Sequence, residues 1–418
     1  MKILNLILIS LIFHSFVNCV QKNNDEEQQL VIVGADRLVS EYLYLIENKS
    51  IGLITNNTGL LSNGVHLVDT LVNIRNVTVK VLFGPEHGIR GDAPDGSTIS
   101  DEVDTKTGVK IVSLYGQINK PTPEMLEGID ILIYDIQDVG VRFYTYISTM
   151  YYALEAAAEN NIKIIVLDRP NPIGGIQVDG PIRDDELTSF VGIAPIPIMY
   201  GMTIGELAKM FNEGGMLKNN LKADLTILEM KNWKREYYYD DCKIRWIKTS
   251  PNIPDVATTI VYPGMCLIEG LNVSEGRGTY TPFITIGAPF INAEELIEEI
   301  KSLGFEGIEL VPTKFTPKVI PNMASSPKYE SVECYGIKIQ ITDRKNFEPV
   351  EFGIKVIYAL FKLYPDKVEF RENSINRLFG KKYLAEMIIE GKTPEQIINK
   401  WQDELNTFKE YRTQFLLY

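Results

Sequence analysis

A chain of 418 residues is too long for one ordinary hydrophobic core, so we expect two domains. Its apolar content of 45% and charged content of 23% are typical of a globular protein. The net charge of −13 argues against a nucleic-acid partner, which usually needs a basic face, although a local basic pocket can still bind one small anion.

The first residues have the pattern of an export signal. Lys2 precedes an apolar run over residues 3–13, which is too short to span a bilayer but suits a signal peptide. Cys19 then precedes a polar stretch, residues 21–29. Either Cys19 carries a lipid that anchors the chain to the membrane surface, or cleavage falls nearby and Cys19 is incidental. We expect a signal over residues 1–19, a tether over 20–30 and an exported protein, periplasmic or membrane-anchored.

Residues 51–230 alternate short apolar runs with segments of helical periodicity. The predicted strands are 51–55, 79–84, 109–114, 129–135, 162–168 and 225–229. The predicted helices are 65–72, 146–159 and one that Thr203 opens in a capping box with Glu206. Strands that are apolar throughout and separated by helices indicate an α/β domain with a parallel sheet covered on both faces.

Mixed charge and aromatic residues over 231–250 break this rhythm, and we place the domain junction there. The predicted domains are 31–250 and a C-terminal α/β domain, 251–418. In the second, we predict strands over 283–287, 308–311 and 337–342. One predicted helix is capped by Asn292 and ends at residue 302, and two others cover 350–363 and 381–389. A fourth is capped by Thr393 and has Pro394 at its first position.

The cysteines after the signal, Cys242, Cys266 and Cys334, are too widely spaced for a zinc-ligand pattern. We favour three buried thiols over one disulfide with a spare thiol. Only His66 and His87 follow the signal, which excludes a His-rich metal centre.

We expect no cofactor, because the chain lacks the phosphate-binding loop, the dinucleotide fingerprint and the nucleophile elbow. A magnesium ion on Asp135, Asp138 or Asp168 is the less favoured alternative to a site without metal.

Polar side chains cluster where the predicted strands of the first domain end, the edge at which open parallel sheets bind ligands. These candidates are Asn56 after the first strand, Glu86, His87 and Arg90 after the second, Asp135, Gln137, Asp138 and Arg142 after the fourth, and Asp168, Arg169 and Asn171 after the fifth. Turns alone favour smaller residues, so we predict a polar site here over solvated loop ends. Tyr144 and Tyr146 lie near the fourth strand and could line a sugar subsite.

Two glutamates stand out as candidate catalytic carboxylates. Glu86 lies between Pro85 and Gly88, and a partly desolvated carboxyl group there could protonate a leaving oxygen. The alternative is a surface ion pair between Glu86 and Arg90. Glu275 could face Glu86 across a cleft between the domains, or it could simply cap a turn.

Five motifs in order carry a resemblance to a known family. They are GLITN at 52–56, FGPEHGIRG at 83–91, YDIQDVG at 134–140, DRPNP at 168–172 and EGLNVSEGRGT at 269–279. With these motifs the chain resembles the exo-β-N-acetylmuramidase family from about residue 50 to residues 415–418. The resemblance implies a Rossmann-like first domain, a smaller second domain and an active site in the cleft between them.

The resemblance further implies an enzyme that removes N-acetylmuramic acid from the non-reducing ends of peptidoglycan fragments, such as muropeptides or disaccharides. It places the catalytic glutamate at Glu86 and a second glutamate at Glu275, within the motif that also holds Ser274 and Arg277. For the lactyl carboxylate of the sugar, the candidate cations are Arg90, Arg142 and Arg277, with Arg169 behind them.

For the mechanism, we expect Glu86 to act as general acid, with either Glu275 or the acetamido group of the substrate assisting at the sugar carbon. We favour the acetamido group, oriented by Asp135 or Asp138. Two rival functions stay open, which are a sugar-binding protein without catalysis and a carboxylate-metal hydrolase.

Overall fold

The computed structural model describes residues 29–86, 88–90 and 102–418. The signal, Cys19, most of the tether and His87 lie outside the described residues. In the part of the chain that is described, no helix is both long and apolar enough to cross a membrane.

A mostly parallel sheet forms the centre of the first domain. Its strands, within the described ranges, are β1 (Lys49–Thr55), β2 (Val77–Gly84), β3 (Glu102–Val103), β4 (Lys110–Ser113), β5 (Ile131–Asp135), β6 (Lys163–Leu167) and β7 (Leu225–Leu228). Their order in space is β3-β4-β2-β1-β5-β6-β7, and only the edge strand β3 runs antiparallel to its neighbour. The chain therefore builds one half outward from β1, then returns to the other side of β1 with β5, as in Rossmann-like folds.

Helices cover both faces of this sheet. They are α1 (Gly34–Ser40), α2 (Leu67–Leu71), α3 (Tyr146–Glu159) and α4 (Ile204–Glu213). Neighbouring residues of β1 point to opposite layers, since Leu53 packs in one buried cluster and Ile54 in the other. The burial of both sheet faces explains why the strands are apolar throughout, and the predicted parallel α/β domain is confirmed.

The second domain is built on an antiparallel sheet with the order β8-β10-β9, formed by β8 (Thr285–Ala288), β9 (Ile308–Phe315) and β10 (Cys334–Ile341). Its helices are α5 (Val256–Met265), α6 (Ala293–Ser302), α7 (Pro349–Leu363), α8 (Glu372–Phe379), α9 (Tyr383–Ile389), α10 (Pro394–Ile398) and α11 (Gln402–Arg412). The predicted caps are confirmed, because the side chains of Asn292 and Thr393 accept bonds from backbone amides of their helices.

The second domain differs from the sequence prediction in the start of one strand and in helices α5, α8 and α11, which were not predicted. Strand β8 begins at Thr285 and not at Phe283, because Phe283 has a positive φ of 63° that extended backbone excludes. Helix α5 was not predicted, since Pro263 lies inside it and a proline there removes a helical donor. The apolar surroundings of α5, whose residues 258–265 are all buried, override that local penalty.

Arg142 joins the two domains at a fully buried position. Its guanidinium donates to the carbonyls of Pro181 and Ile196 at 2.6 and 2.8 Å, and to those of Leu378 and Phe379, both at 2.8 Å. The last two carbonyls belong to the end of α8 in the second domain. Burial removes water from the guanidinium and lowers the pKa of Arg142 to about 9. The four carbonyls supply the hydrogen-bond acceptors that water would otherwise provide.

Cys242, Cys266 and Cys334 are free and buried, which confirms the prediction of three buried thiols. Burial raises the pKa of the Cys266 thiol, so this group stays protonated near neutral pH.

Candidate active site

The carboxyl ends of β1 and β5 hold a closed polar cluster. Asp135 is fully buried and accepts from the guanidinium of Arg169 at 2.6 and 3.0 Å. Asn56 accepts from both the amide and the hydroxyl of Thr58, at 2.9 and 2.5 Å. These groups lie at the point where the strand order reverses, but Asp135 and Arg169 are paired with each other and do not line the interdomain cavity that is described below.

Gln137 and Asp138 follow the carboxyl end of β5. The Gln137 side chain donates to the carbonyls of Asp138 and Pro170 at 2.8 and 2.7 Å. Asp138 accepts from the Tyr200 hydroxyl and from the amide of Gly140. Burial raises the pKa of Asp138 to about 6, although these donors oppose the shift.

Asp168 and Asn171 organise the loops after β6. Asp168 accepts from the hydroxyls of Thr203 and Tyr418 at 2.8 and 2.7 Å and from the amide of Gly205 at 2.7 Å. Burial raises the pKa of Asp168 to about 7. Asn171 donates to the carbonyl of Met202 at 2.9 Å. Both side chains therefore hold the start of α4 against the sheet.

Arg90 is also engaged away from the cavity. Its guanidinium contacts Asp69 at 2.9 Å and Asp104 at 2.8 Å. Of the strand-end candidates that the structure describes, only Glu86, Tyr144 and Tyr146 line the interdomain cavity. His87 lies outside the described residues.

This cavity has a volume of about 210 Å³ and lies where the two domains meet. The first domain contributes Glu86, Tyr115, Phe143, Tyr144, Thr145 and Tyr146 to its walls. The second domain contributes Tyr262, Cys266, Glu269, Arg277 and Phe283, and Ser250 and Asn252 come from the segment between the domains. Charged groups thus face a space lined largely by aromatic rings.

Glu86 reaches the cavity from the loop that follows β2. Its carboxylate accepts from the Thr145 hydroxyl at 3.0 Å, just before α3 begins. The loop can turn sharply after it because Gly88 has a φ of 72°, which favours glycine. The partly buried Glu86 is therefore held at a defined position on the cavity wall.

Aromatic rings in edge-to-face contact run across the domain boundary. Tyr146 contacts Tyr144 at 5.0 Å between centroids, Tyr144 contacts Tyr262 at 6.1 Å, and Tyr262 contacts Phe283 at 4.7 Å. The hydroxyls of Tyr144 and Tyr146 donate to the side chain and the carbonyl of Thr249, at 2.8 and 2.6 Å. Such rings offer flat apolar faces for a sugar.

Glu269 and Arg277 form the charged pair on the opposite wall. The Arg277 guanidinium donates to one oxygen of Glu269 at 3.1 and 2.9 Å and lies 5.4 Å from the ring centroid of Phe283. Both side chains keep 27% of their surface accessible. Burial and the nearby Glu275 raise the pKa of Glu269, while Arg277 opposes this shift.

Glu275 lies behind that wall. Its carboxylate is 4% exposed and contacts the ammonium group of Lys328 at 2.9 Å and the guanidinium of Arg277 at 3.7 Å. Ser274 is fully buried and accepts from the amide of Gly276 at 3.2 Å. Neither Ser274 nor Glu275 lines the cavity.

Sequence reasoning had not selected Glu269, Tyr115, Thr145 or Tyr262 as site residues. Glu269 carried a signal, because it opens the 269–279 motif that contains Arg277. Thr145 lies between the selected Tyr144 and Tyr146, whereas Tyr115 and Tyr262 had no signal, since they come from segments that meet the site only in the folded chain. Among the described residues, no three His, Cys, Asp or Glu side chains are grouped so as to hold a metal ion.

Carboxylates, a guanidinium and aromatic walls surround an interdomain cavity on a Rossmann-like frame, and these are the groups that a glycoside hydrolase needs. Family models described as the N-terminal and C-terminal parts of exo-β-N-acetylmuramidase NamZ match residues 51–257 and 260–418. The chain therefore belongs to the exo-β-N-acetylmuramidase NamZ family.

Individual relatives agree with this assignment. The chain is 45% identical over 398 residues to the peptidoglycan β-N-acetylmuramidase NamZ of Bacillus subtilis strain 168, covering 95% of this chain and 94% of that protein. Crystal structures of two DUF1343 family proteins from Bacteroides fragilis NCTC 9343 also match. They have TM-scores of 0.86 and 0.75 with 35% and 36% identity, and each match covers 93% of this chain and 99% of the other.

Proposed function

We propose that this chain releases N-acetylmuramic acid from the non-reducing end of peptidoglycan fragments, with Glu86 as general acid. The observation that carries the proposal is the interdomain cavity with Glu86 on its wall. Its volume of about 210 Å³ is below the ~300–1,000 Å³ of typical ligand pockets, so it suits one sugar unit and not a polymer. The likeness to a peptidoglycan β-N-acetylmuramidase supports the choice of sugar.

Glu86 suits the role of general acid, because it is the carboxyl group that the described strand ends of the first domain bring to the cavity. A sugar alcohol leaves poorly as an anion, so the glycosidic oxygen needs a proton as its bond to the anomeric carbon breaks. The Thr145 hydroxyl, 3.0 Å from the carboxylate, fixes the orientation of the group.

Arg277 suits the lactyl carboxylate that distinguishes muramic acid from other amino sugars. Of the four arginines considered from the sequence, it alone lines the cavity. Arg90, Arg142 and Arg169 are bound to aspartates or to backbone carbonyls elsewhere. A guanidinium has five N–H donors, so Arg277 can serve a second carboxylate while it holds Glu269.

The first test is incubation of the purified chain with muramyl-N-acetylglucosamine disaccharide, with mass detection of free N-acetylmuramic acid. We expect release by the wild type and a loss of about 10²–10⁴-fold in kcat for Glu86→Gln, because the proton donor is gone. With a 4-nitrophenyl leaving group, which needs less protonation, the loss should be much smaller.

Glu213→Gln serves as the matched control, because Glu213 is an exposed glutamate on α4. It should keep wild-type kcat on both substrates. Full activity of a folded Glu86→Gln variant would contradict the assignment of the acid. Binding of the disaccharide without release of either sugar would favour a sugar-binding protein, and loss of activity with a chelator would favour a metal hydrolase.

We also propose that the chain is exported, on the evidence of the signal-like residues 1–19. Fractionation of cells that express the full chain tests this. Membrane association that Cys19→Ser abolishes would support a lipid anchor, and a soluble extracytoplasmic wild type would support simple cleavage.

A further inference from the structure

Glu269, from the second domain, shares the cavity with Glu86, whereas Glu275 does not reach it. We propose that Glu269 is the second carboxylate of the reaction and receives the acetamido N–H of the sugar while the acetamido oxygen attacks the anomeric carbon. This inference rests on the proposed function and names the group that assists at the sugar.

The position of Glu275 argues against a direct role. Its 4% exposed carboxylate contacts the ammonium group of Lys328 at 2.9 Å. Lys328 also donates to the carbonyls of Ile268 and Val273, at 3.0 and 2.9 Å. The pair of Glu275 and Lys328 therefore ties together the ends of the turn that carries Glu269, which is a structural task.

The position of Glu269 favours contact with a ligand. The Arg277 guanidinium donates to one carboxylate oxygen of Glu269 at 2.9 and 3.1 Å. The same guanidinium lies 5.4 Å from the ring centroid of Phe283. Arg277 itself is fixed between two glycines with φ near 80°, Gly276 and Gly278. A Cβ on Gly276 would approach the carbonyl oxygen of Thr285 to 2.3 Å, so the backbone of this loop packs directly against the start of β8.

The aspartates that the sequence offered for this task are occupied elsewhere. Asp135 is paired with Arg169, and Asp138 accepts from Tyr200 and Gly140 beneath the sheet edge. Neither lines the cavity. Burial also raises the pKa of Glu269, which makes its carboxylate a stronger hydrogen-bond acceptor for the acetamido N–H.

The reaction then balances in two steps. First, Glu86 gives its proton to the glycosidic oxygen, which leaves with the electrons of its bond to the anomeric carbon. The acetamido oxygen donates an electron pair to that carbon and forms an oxazolinium ring, whose N–H is hydrogen-bonded to the Glu269 carboxylate. Second, water attacks the anomeric carbon and gives a proton to Glu86, while the ring opens to restore the acetamide. Two inversions give retention, so the first product is the β-anomer.

Measurements of kcat on substrates with two different leaving groups distinguish the role of Glu269 from that of Glu275. Glu269→Gln should lower kcat by about 10²-fold or more on both the disaccharide and the 4-nitrophenyl glycoside, because ring formation is needed for either. Glu275→Gln should mainly lower the melting temperature, with a smaller loss of kcat. A Glu269→Gln variant with wild-type kcat, or an α-anomer as first product, would overturn the inference.

Binding of the 1,2-thiazoline analogue of N-acetylmuramic acid tests the same contact without turnover. We expect Glu269→Gln to weaken it about 10- to 100-fold by calorimetry, the range for a hydrogen bond to a charged group. Binding of free N-acetylmuramic acid should weaken much less. An unchanged thiazoline affinity in Glu269→Gln, with a loss in Glu275→Gln, would reverse the assignment. If the wild type binds the thiazoline through Glu269 but releases no sugar, the proposed hydrolysis fails while the contact stands.

Discussion

Two acid–arginine pairs in this molecule use the same chemistry in different surroundings. Asp135 and Arg169, beyond the strand ends of the first domain, are 0% and 4% exposed. Glu269 and Arg277, on the wall of the interdomain cavity, are each 27% exposed. The first pair meets only protein, whereas the second borders a space that a ligand can fill.

The comparison shows that a charged residue at the ligand-binding edge of a sheet need not bind ligand. In this fold the second domain covers part of that edge, and the cavity lies over the loop after β2 and the residues before α3. Of the strand-end charges outside the cavity, Asp135 and Arg169 are paired with each other, and Asp138 and Asp168 are bound by hydroxyl and amide donors of the protein. The closed pair should therefore control stability, and the open pair should control activity.

Removal of one partner from the closed pair should have the largest effect on stability. Asp135→Ala leaves the buried guanidinium of Arg169 without its counterion, which typically costs about 3–5 kcal/mol in the free energy of unfolding. Urea denaturation measures this change. Glu269→Ala is the matched variant in the open pair and should cost about 1 kcal/mol or less, because water can reach its partner. Equal losses for the two variants would contradict the division between the pairs.

The pH dependence of stability should reveal a second closed group, Asp138. Its pKa is raised from 3.8 to about 6 in the folded chain, so the folded state binds the proton more tightly than the unfolded state. This contribution is fully present below about pH 4 and is lost as the pH rises through 6, amounting to about 3 kcal/mol.

Asp138→Asn should abolish that component, because the amide is neutral at every pH. The measurement is the difference in unfolding free energy between pH 4.5 and pH 7.5 for the two proteins. The same difference in unfolding free energy, measured for Glu269→Gln, gives the corresponding value for the open pair. A wild type and an Asp138→Asn variant with the same pH profile would show that Asp138 is ionised throughout.

The smallest effect is expected for Tyr146, whose ring lines the cavity while its hydroxyl donates to the backbone of Thr249. Tyr146→Phe loses the bond to the Thr249 carbonyl at 2.6 Å, which is worth about 1 kcal/mol. The kcat for the disaccharide should fall by less than about threefold, since the ring surface remains. A loss of kcat as large as that of Glu86→Gln would instead place this hydroxyl on the substrate.

Much of the fold was predictable because its signals are local. The uniformly apolar strands indicated a covered parallel sheet, and Thr203, Asn292 and Thr393 marked helix starts through bonds to residues three positions away. Helix α5 was missed because its stability comes from packing in the second domain. The domain boundary near residue 250 stays a prediction.

The site was less predictable because it depends on partners distant in sequence. Glu86, Tyr144, Tyr146 and Arg277 were selected and do line the cavity. Asp135 and Arg169 were selected by the same reasoning, but they are 34 residues apart and no local pattern shows that they bind each other. Glu269 was overlooked although it opens the 269–279 motif, because no local pattern shows that it shares a cavity with Glu86.

Arg142 has a consequence for how substrate reaches the cavity. To move the domains apart, the chain would have to break the bonds of Arg142 to the carbonyls of Leu378 and Phe379 and leave part of a buried guanidinium without acceptors. We therefore expect the two domains to keep one arrangement, so that the cavity holds its shape while a terminal sugar enters and the released sugar leaves.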